Sequence, residues 1–109
     1  MTEQLVAVER GDDGVAVVRL QNGKVNALSV AVLHRLGAIA TELTADPPGA
    51  VLVTGGARLF AAGADISEFA SDPDPASFAI AGAKRVREVG AAFHAALGAV
   101  AAIPRPTIA

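Results

Sequence analysis

Apolar and polar positions change rhythm several times along this chain, and each change marks a predicted element. Leu5-Val6-Ala7-Val8-Glu9 and Val15-Ala16-Val17-Val18-Arg19-Leu20 are short runs rich in β-branched residues, separated by Arg10-Gly11-Asp12-Asp13-Gly14. A Gly/Asp cluster between two such runs predicts a turn, so the pair reads as a hairpin. Gln21-Asn22-Gly23 punctuates the second strand. Past Ser29 the period lengthens, and Leu33, Leu36, Ile39, Ala40 and Leu43 recur at helical spacing. Ser29 suits the N-cap, where its hydroxyl accepts from an unpaired amide of the first turn. This helix is predicted to stop near Asp46-Pro47-Pro48-Gly49, because proline disfavours helical geometry in the residue before it.

Ala50-Val51-Leu52-Val53-Thr54, closed by Gly55-Gly56, is a short apolar run that reads as a buried strand. A Gly/Ala loop follows from Phe60 to Ile66, then a short helix around Ser67 to Ala70, then a solvated break at Ser71-Asp72-Pro73-Asp74-Pro75. A long helix is predicted from about Ala76 to Ala102, with Val86, Val89, Phe93, Leu97 and Val100 as its apolar stripe. Ile103-Pro104-Arg105-Pro106 ends it, and Thr107-Ile108-Ala109 opens a further strand. The order is strand, strand, helix, strand, loop, helix, helix, strand, an α/β pattern with no evident repeat. A domain rarely ends partway into a strand after a long helix, so residues 1–109 are expected to be the leading part of a longer domain.

Composition sharpens that expectation. At 109 residues there is room for one small domain. Hydrophobic residues make up 52% of the chain, but only four are Phe and none is Trp or Tyr. A core dominated by alanine, valine and leucine buries little area per residue, so more chain or a partner subunit is expected to cover its apolar faces. The net charge is −2, and the local cluster Lys84-Arg85-Val86-Arg87 is followed at once by Glu88. That balance argues against nucleic acid or an anionic membrane as partner. The absence of cysteine excludes disulfides, thiolate chemistry and Cys-based zinc sites within these residues and fits a reducing compartment. The opening residues alternate polar and apolar with early acids, unlike a signal peptide. No run is apolar and long enough to span a bilayer. A cytoplasmic location is the expectation.

The loop after the buried strand is the most informative stretch for chemistry. Gly63 permits unusual backbone angles, and its alanine neighbours let a ligand approach the main chain. Amides at the head of a helix are unpaired and lie at the positive end of its dipole. Beside a thioester carbonyl, such an amide serves as half of an oxyanion hole. On pattern alone, a tight strand-to-helix turn explains the same residues. The acids offer no obvious pair for proton transfer. Glu42 and Asp46 read as solvated at a helix end, Glu88 as a surface ion-pair partner of Lys84, Arg85 and Arg87, Asp65 as a cap of the short helix, and Glu68 as solvent-facing. His34 and His94 lie in separate helices without a Glu-x-x-His pattern, so surface or packing roles are expected and no metal site is implied. Ser29 has no partner His or acid at a nucleophile's spacing, and Phe78 and Phe93 read as packing residues.

Three segments together carry a resemblance. Phe60-Ala61-Ala62-Gly63-Ala64-Asp65-Ile66, preceded by Val51-Leu52-Val53-Thr54-Gly55, is similar to the first signature of the enoyl-CoA hydratase (crotonase) family. Lys24-Val25-Asn26-Ala27-Leu28-Ser29 resembles its N-A-L segment, and Ile103-Pro104-Arg105-Pro106-Thr107-Ile108-Ala109 its P-K-P-x-I-A segment, with Arg105 for the commoner lysine. The likeness covers essentially the whole chain. It implies an α/β fold of the crotonase type, a spiral of ββα units of which residues 1–109 are the N-terminal part.

The same resemblance implies a lyase or isomerase of fatty-acid metabolism acting on an acyl-CoA thioester, with enoyl-CoA hydratase the first choice. By the family pattern the backbone N–H of Ala64 is one of two oxyanion donors. Lys24, Val25, Ala27, Ala62, Ala64, Asp65 and Ile66 are then substrate-binding positions for coenzyme A, which is part of the substrate; no separate cofactor is implied. The family often has a lysine two places after the Asp, where this chain has Ser67. By the same family pattern the second oxyanion donor lies in a glycine-rich segment beyond position 109 and the acid/base glutamates in and beyond that segment, so the 109 residues alone are expected to be inactive. Hydratase, isomerase, dehalogenase and hydrolase members differ in residues past that point, as does acyl-chain preference. The resemblance also implies a homo-oligomer, trimer or hexamer, for the full-length protein.

Two other readings compete. Val51-Leu52-Val53-Thr54-Gly55-Gly56-Ala57-Arg58 resembles the opening of an NAD(P)-binding short-chain dehydrogenase, although the later glycines fall on Leu59 and Ala61. Alternatively, the chain is a non-catalytic fragment that acts only by associating with a complementary chain.

Overall fold

A computed structural model describes residues 4–69 and 75–109, with side chains in the second stretch from residue 82 onward. Two strands open the chain, β1 (Val6–Arg10) and β2 (Val15–Leu20), paired antiparallel from Val6 opposite Leu20 to Arg10 opposite Ala16. The Gly/Asp turn between them forms as its residues require. Gly14 takes a φ of 85°, and the Val15 amide donates to Asp13 Oδ1 at 3.0 Å. The Gly14 carbonyl then accepts from the Gly49 amide at 2.7 Å, which brings in the start of the next long strand.

Helix α1 (Val30–Ala45) begins at Ser29, whose Oγ accepts from the Val32 amide at 3.2 Å, and ends at Asp46 ahead of the two prolines. It leads to β4 (Ala50–Thr54), which pairs parallel with β2 from Val15 opposite Ala50 to Arg19 opposite Thr54. Between β2 and α1 lies a two-residue strand, β3 (Ala27–Leu28); after β4 comes a second, β5 (Gly63–Ala64). These two pair parallel with each other in a separate small sheet. A 3₁₀ turn (Ile66–Phe69) follows, then the long helix α2 (Pro75–Ala101) and β6 (Thr107–Ile108), which pairs parallel with β4. The main sheet runs β1-β2-β4-β6.

The core lies between one face of this sheet and the helices. Val6, Ala16, Val18, Leu20, Val51 and Val53 point inward from the strands. Val32, Leu33, Leu36, Ile39, Ala40 and Leu43 of α1 meet them, and Ala92, Ala96 and Ile103 close one side.

Two sequence expectations are corrected here. The strand expected to be buried, β4, is buried through Val51 and Val53 but not through Leu52, which is 38% exposed, because the helices cover only one face of the sheet. The stripe of α2 is also different. Val89, Ala92 and Ala96 are buried, with Phe93 and Val100 packed beside them, whereas Val86 and Leu97 are exposed. Helix α2 turns its small residues toward α1, so close that a Cβ on Gly37 would sit 3.7 Å from Ala96 Cα. The packing role expected of Phe78 and the break at 71–74 lie outside the described residues. The longest extent is 55 Å against 26 and 25 Å, and α2, with 27 residues, spans about 40 Å at the standard rise.

The contact at Gly37 yields a prediction. Gly37→Ala adds a methyl at ordinary packing distance and gains helix propensity, so it should be neutral or stabilise by about 1 kcal/mol. Gly37→Leu must push α2 away and should cost about 1–3 kcal/mol. Urea unfolding midpoints of the two variants decide it; equal midpoints would remove the close helix approach from the account.

Candidate functional site

The site is built where two loops meet. The first, residues 22–28, is shaped by two asparagines. Asn26 has a φ of 48°, the left-handed region in which asparagine is one of the few tolerated side chains. Its side chain is turned inward, leaving the residue 3% exposed. Asn26 Oδ1 accepts from the Asn22 amide at 2.7 Å, and Asn22 Nδ2 donates to the Ala27 carbonyl at 2.7 Å. The loop is thus tied across its own width.

The second loop leaves β4 at Gly55-Gly56. Gly55 is buried, and a Cβ there would collide with the Phe60 carbonyl oxygen and lie 2.8 Å from that of Leu59. Only glycine fits beneath those oxygens. The Gly56 amide donates to the Leu59 carbonyl at 3.0 Å, turning the chain back so that Phe60 and its successors run beside the first loop.

Asn26 joins the two. Its Nδ2 donates to the Phe60 carbonyl at 3.2 Å, and the Ala62 amide donates to the Val25 carbonyl at 2.9 Å. Ala27 then stands opposite Gly63, and Leu28 opposite Ala64. Gly63 has a φ of 101°, and a Cβ there would meet no protein atom within 4 Å, so glycine is required for the backbone angle and not for space.

Of the residues singled out from the sequence, Val25, Ala27, Ala62 and Ala64 are therefore held side by side. Lys24 is exposed at the edge of a cleft of about 640 Å³ that also includes Val25, Gly56 and Arg58. The Val25 and Ile66 side chains are open to solvent beside this loop, 50% and 84% exposed. Asp65 caps the 3₁₀ turn as expected: its Oδ1 accepts from the Ser67 amide at 3.0 Å and from Ser67 Oγ at 2.7 Å.

Glu68 departs from expectation. Its side chain is only 19% exposed, and its Oε1 accepts from the Val30 amide at 2.9 Å. Its other oxygen lies 3.9 Å from Arg85 Nη2. It was expected to face solvent because neighbouring residues alone do not reveal that the 3₁₀ turn lies against the head of α1. Arg85 binds Glu88 at 3.1 Å, as the charge pattern suggested, and also donates from Nε to the Glu68 carbonyl at 2.7 Å. Roles for Asn22, Asn26 and Arg85 at the site were not read from sequence. An asparagine just after a glycine-containing turn was the one available sign of a left-handed position.

Side chains that classify many active sites by chemistry are elsewhere or occupied. His34 and His94 are exposed, and among the described residues no group of acids and histidines is arranged to hold a metal ion. No described helix is long and apolar enough to cross a membrane. What the loops present is main chain in a fixed conformation.

A family model described as enoyl-CoA hydratase/isomerase matches residues 10–104. The chain belongs to that enzyme family. A Mycobacterium tuberculosis protein named as a probable enoyl-CoA hydratase is 40% identical over 111 residues, covering 100% of this chain and 38% of the relative. A Brassica napus protein named as a glyoxysomal fatty acid beta-oxidation multifunctional protein is 42% identical over 69 residues, covering 62% of this chain and 10% of the relative. Among solved structures, an enoyl-CoA hydratase of Mycobacterium smegmatis superposes with a TM-score of 0.79 at 25% identity, over 96% of this chain and 38% of that one. The chain thus spans well under half the length of the first two hydratases compared. The α/β crotonase-type fold implied by the sequence resemblance is the fold observed. The dehydrogenase reading is not favoured: Gly55-Gly56 lead into the turn at Leu59 instead of opening a helix.

Asn26 provides the stability test for this site. Asn26→Ala loses two side-chain hydrogen bonds and the asparagine's tolerance of the left-handed backbone, so it should cost about 2–4 kcal/mol. Asn26→Gly, which keeps the backbone freedom, should recover about 1 kcal/mol of that loss. Denaturant titration of the three proteins measures both; a loss under half a kcal/mol in the alanine variant would refute the clamp (about the spread of neutral surface changes).

Proposed function

We propose that this chain supplies the coenzyme A-binding loops and one oxyanion donor of an enzyme that acts on acyl-CoA thioesters, with hydration of a 2-enoyl-CoA as the first choice. The observation that carries this reading is the pairing of Ala27-Leu28 with Gly63-Ala64, in a chain of this family. It lines up the main chain of both signature segments.

In the proposed reaction, water adds across the 2,3 double bond and charge accumulates on the thioester oxygen. The Ala64 N–H donates to that oxygen where charge develops, so it stabilises the transition state more than the substrate. Lys24, Val25, Ala27, Ala62, Ala64, Asp65 and Ile66 contact coenzyme A in this reading, many through main-chain atoms. The exposed Val25 and Ile66 side chains give the apolar parts of such a ligand something to cover. Asp65 and Glu68 are taken up by Ser67 and by Val30 with Arg85, which supports placing the acid/base pair outside these residues. We extend the proposal to a role in fatty-acid metabolism and to a cytoplasmic homo-oligomer for the full-length protein, with no separate cofactor.

The test is at Ala64 in the full-length protein, with circular dichroism as the folding control. Ala64→Gly should keep nearly all turnover. Ala64→Pro removes the donor and should lower turnover roughly 10²–10³-fold. A folded Ala64→Pro protein with near-normal turnover would exclude the oxyanion role.

A second outcome concerns residues 1–109 by themselves. With one oxyanion donor and no positioned pair of carboxylates, they should not hydrate 2-enoyl-CoA at a measurable rate. General acid–base assistance alone is worth about 10²–10⁴. Loss of enoyl-CoA absorbance at the full-length protein's rate would show that the acids have been placed wrongly.

A further inference from the structure

We infer that Glu68, braced by Arg85, is a positioning residue that sets the Ala64 peptide against the head of α1; the inference rests on the oxyanion reading of Ala64. The geometry is a closed ring. Ala64 stands opposite Leu28 in the two-residue ladder. Two residues beyond Leu28, the Val30 amide donates to Glu68 Oε1 at 2.9 Å, and four residues of chain return from Glu68 to Ala64. Main-chain pairing holds Ala64 beside Leu28 on one side of the ring, and on the other the Glu68 carboxylate ties the turn that follows Ala64 to the head of α1.

The ladder alone does not suffice. It is two residues long, and Gly63 within it has the backbone freedom of a glycine at positive φ. Downstream of Ala64, the Asp65 contacts with Ser67 stay within the turn, so they shape the turn without fixing its place. Glu68 is what ties it to α1.

Nor is Glu68 merely a helix cap. Ser29 already caps α1 through the Val32 amide. The first turn of α1 contains no acid of its own, so a carboxylate arriving from the 3₁₀ turn meets unpaired amides and the positive end of the helix dipole. Arg85 then fixes the arrival from α2. Its Nε donates to the Glu68 carbonyl at 2.7 Å, Nη2 lies 3.9 Å from the carboxylate, and Nη1 binds Glu88 at 3.1 Å. Three elements are joined through one half-buried side chain.

The experiment compares Glu68→Ala, Glu68→Gln and Arg85→Lys in the full-length protein, by steady-state kinetics and by amide hydrogen exchange across residues 62–65. Glu68→Ala should speed exchange there by about tenfold or more, with the middle of α1 unchanged. Turnover should fall roughly 10–10²-fold, the scale of a small misplacement of a reacting group, while KM moves less than about threefold because ground-state contacts persist. Glu68→Gln keeps the acceptor for the Val30 amide and should recover most of both effects. Arg85→Lys loses the Nε contact and should fall between them. Unchanged exchange at 62–65 in Glu68→Ala overturns the inference. So does unchanged turnover in that variant when Ala64→Pro is inactive. If Ala64→Pro is fully active, the oxyanion reading fails by itself, and the exchange result still decides whether Glu68 positions the loop.

Discussion

Everything at this site depends on one buried amide side chain. Asn26 accepts from Asn22 within its own loop and donates to Phe60 in the other, while its backbone holds a left-handed conformation. A buried amide must find partners on both its oxygen and its nitrogen or bear the desolvation cost of each. Here the nitrogen's partner lies 34 residues away, so satisfying the side chain and closing the two loops are the same event. No buried side-chain nitrogen or oxygen among the described residues is left without a partner. Once Asn26 is paired, the Val25 carbonyl is presented to the Ala62 amide, and the short ladder follows in register.

The sheet and α1 place that clamp. The hairpin turn takes the start of β4 through the Gly14 carbonyl, and β4 runs parallel to β2 and delivers Gly55. At the other end of the same strands, β2 delivers Asn22 and the first loop. Both loops therefore leave neighbouring parallel strands at the same end, the usual location of sites in sheets with helical crossovers. Arg10 and Asp46 tie the far end, with a hydrogen bond to the Asp46 carbonyl at 2.7 Å and an ion pair at 3.8 Å. Both groups are substantially exposed there, so the ion pair contributes little and the hydrophobic face of α1 does most to hold the arrangement.

Local chemistry made part of this legible from sequence. The hairpin, the Ser29 cap, the stop before Pro47 and the strand at Thr107 each depend on residues within a few positions of one another, and each is present. The errors share another cause. Val51-Leu52-Val53 gives no alternation and so suggests a buried strand throughout, yet burial of Leu52 depends on whether anything covers the second face. The stripe on α2 was drawn through its largest side chains, whereas the helix packs through alanines because Gly37 lets it approach. Two-residue strands carry no periodicity at all, so β3 and β5 could be found only through the pairing that makes them. Glu68 is the clearest case: its partners are 38 and 17 residues away, and nothing beside it in sequence announces either.

A site made of main chain also changes where sensitivity to substitution should fall. The group proposed to act, the Ala64 N–H, is carried by every residue but proline. Its side chain is nearly irrelevant to the chemistry, and a search for clusters of titratable groups passes over it. Position is then the whole of its contribution, since an amide displaced by a fraction of an ångström no longer meets the developing charge at hydrogen-bond distance. Selection at such a site acts on whatever fixes the peptide plane: the cramped Gly55, the left-handed Asn26, the conformation of Gly63 and the reach of Glu68. None of these need touch a substrate. The glycine, alanine and asparagine residues of the two loop signatures that resemble the family are better understood as instructions for placing a backbone than as lists of reactive groups, which is why an alanine-rich chain without cysteine still carries a specific functional signal.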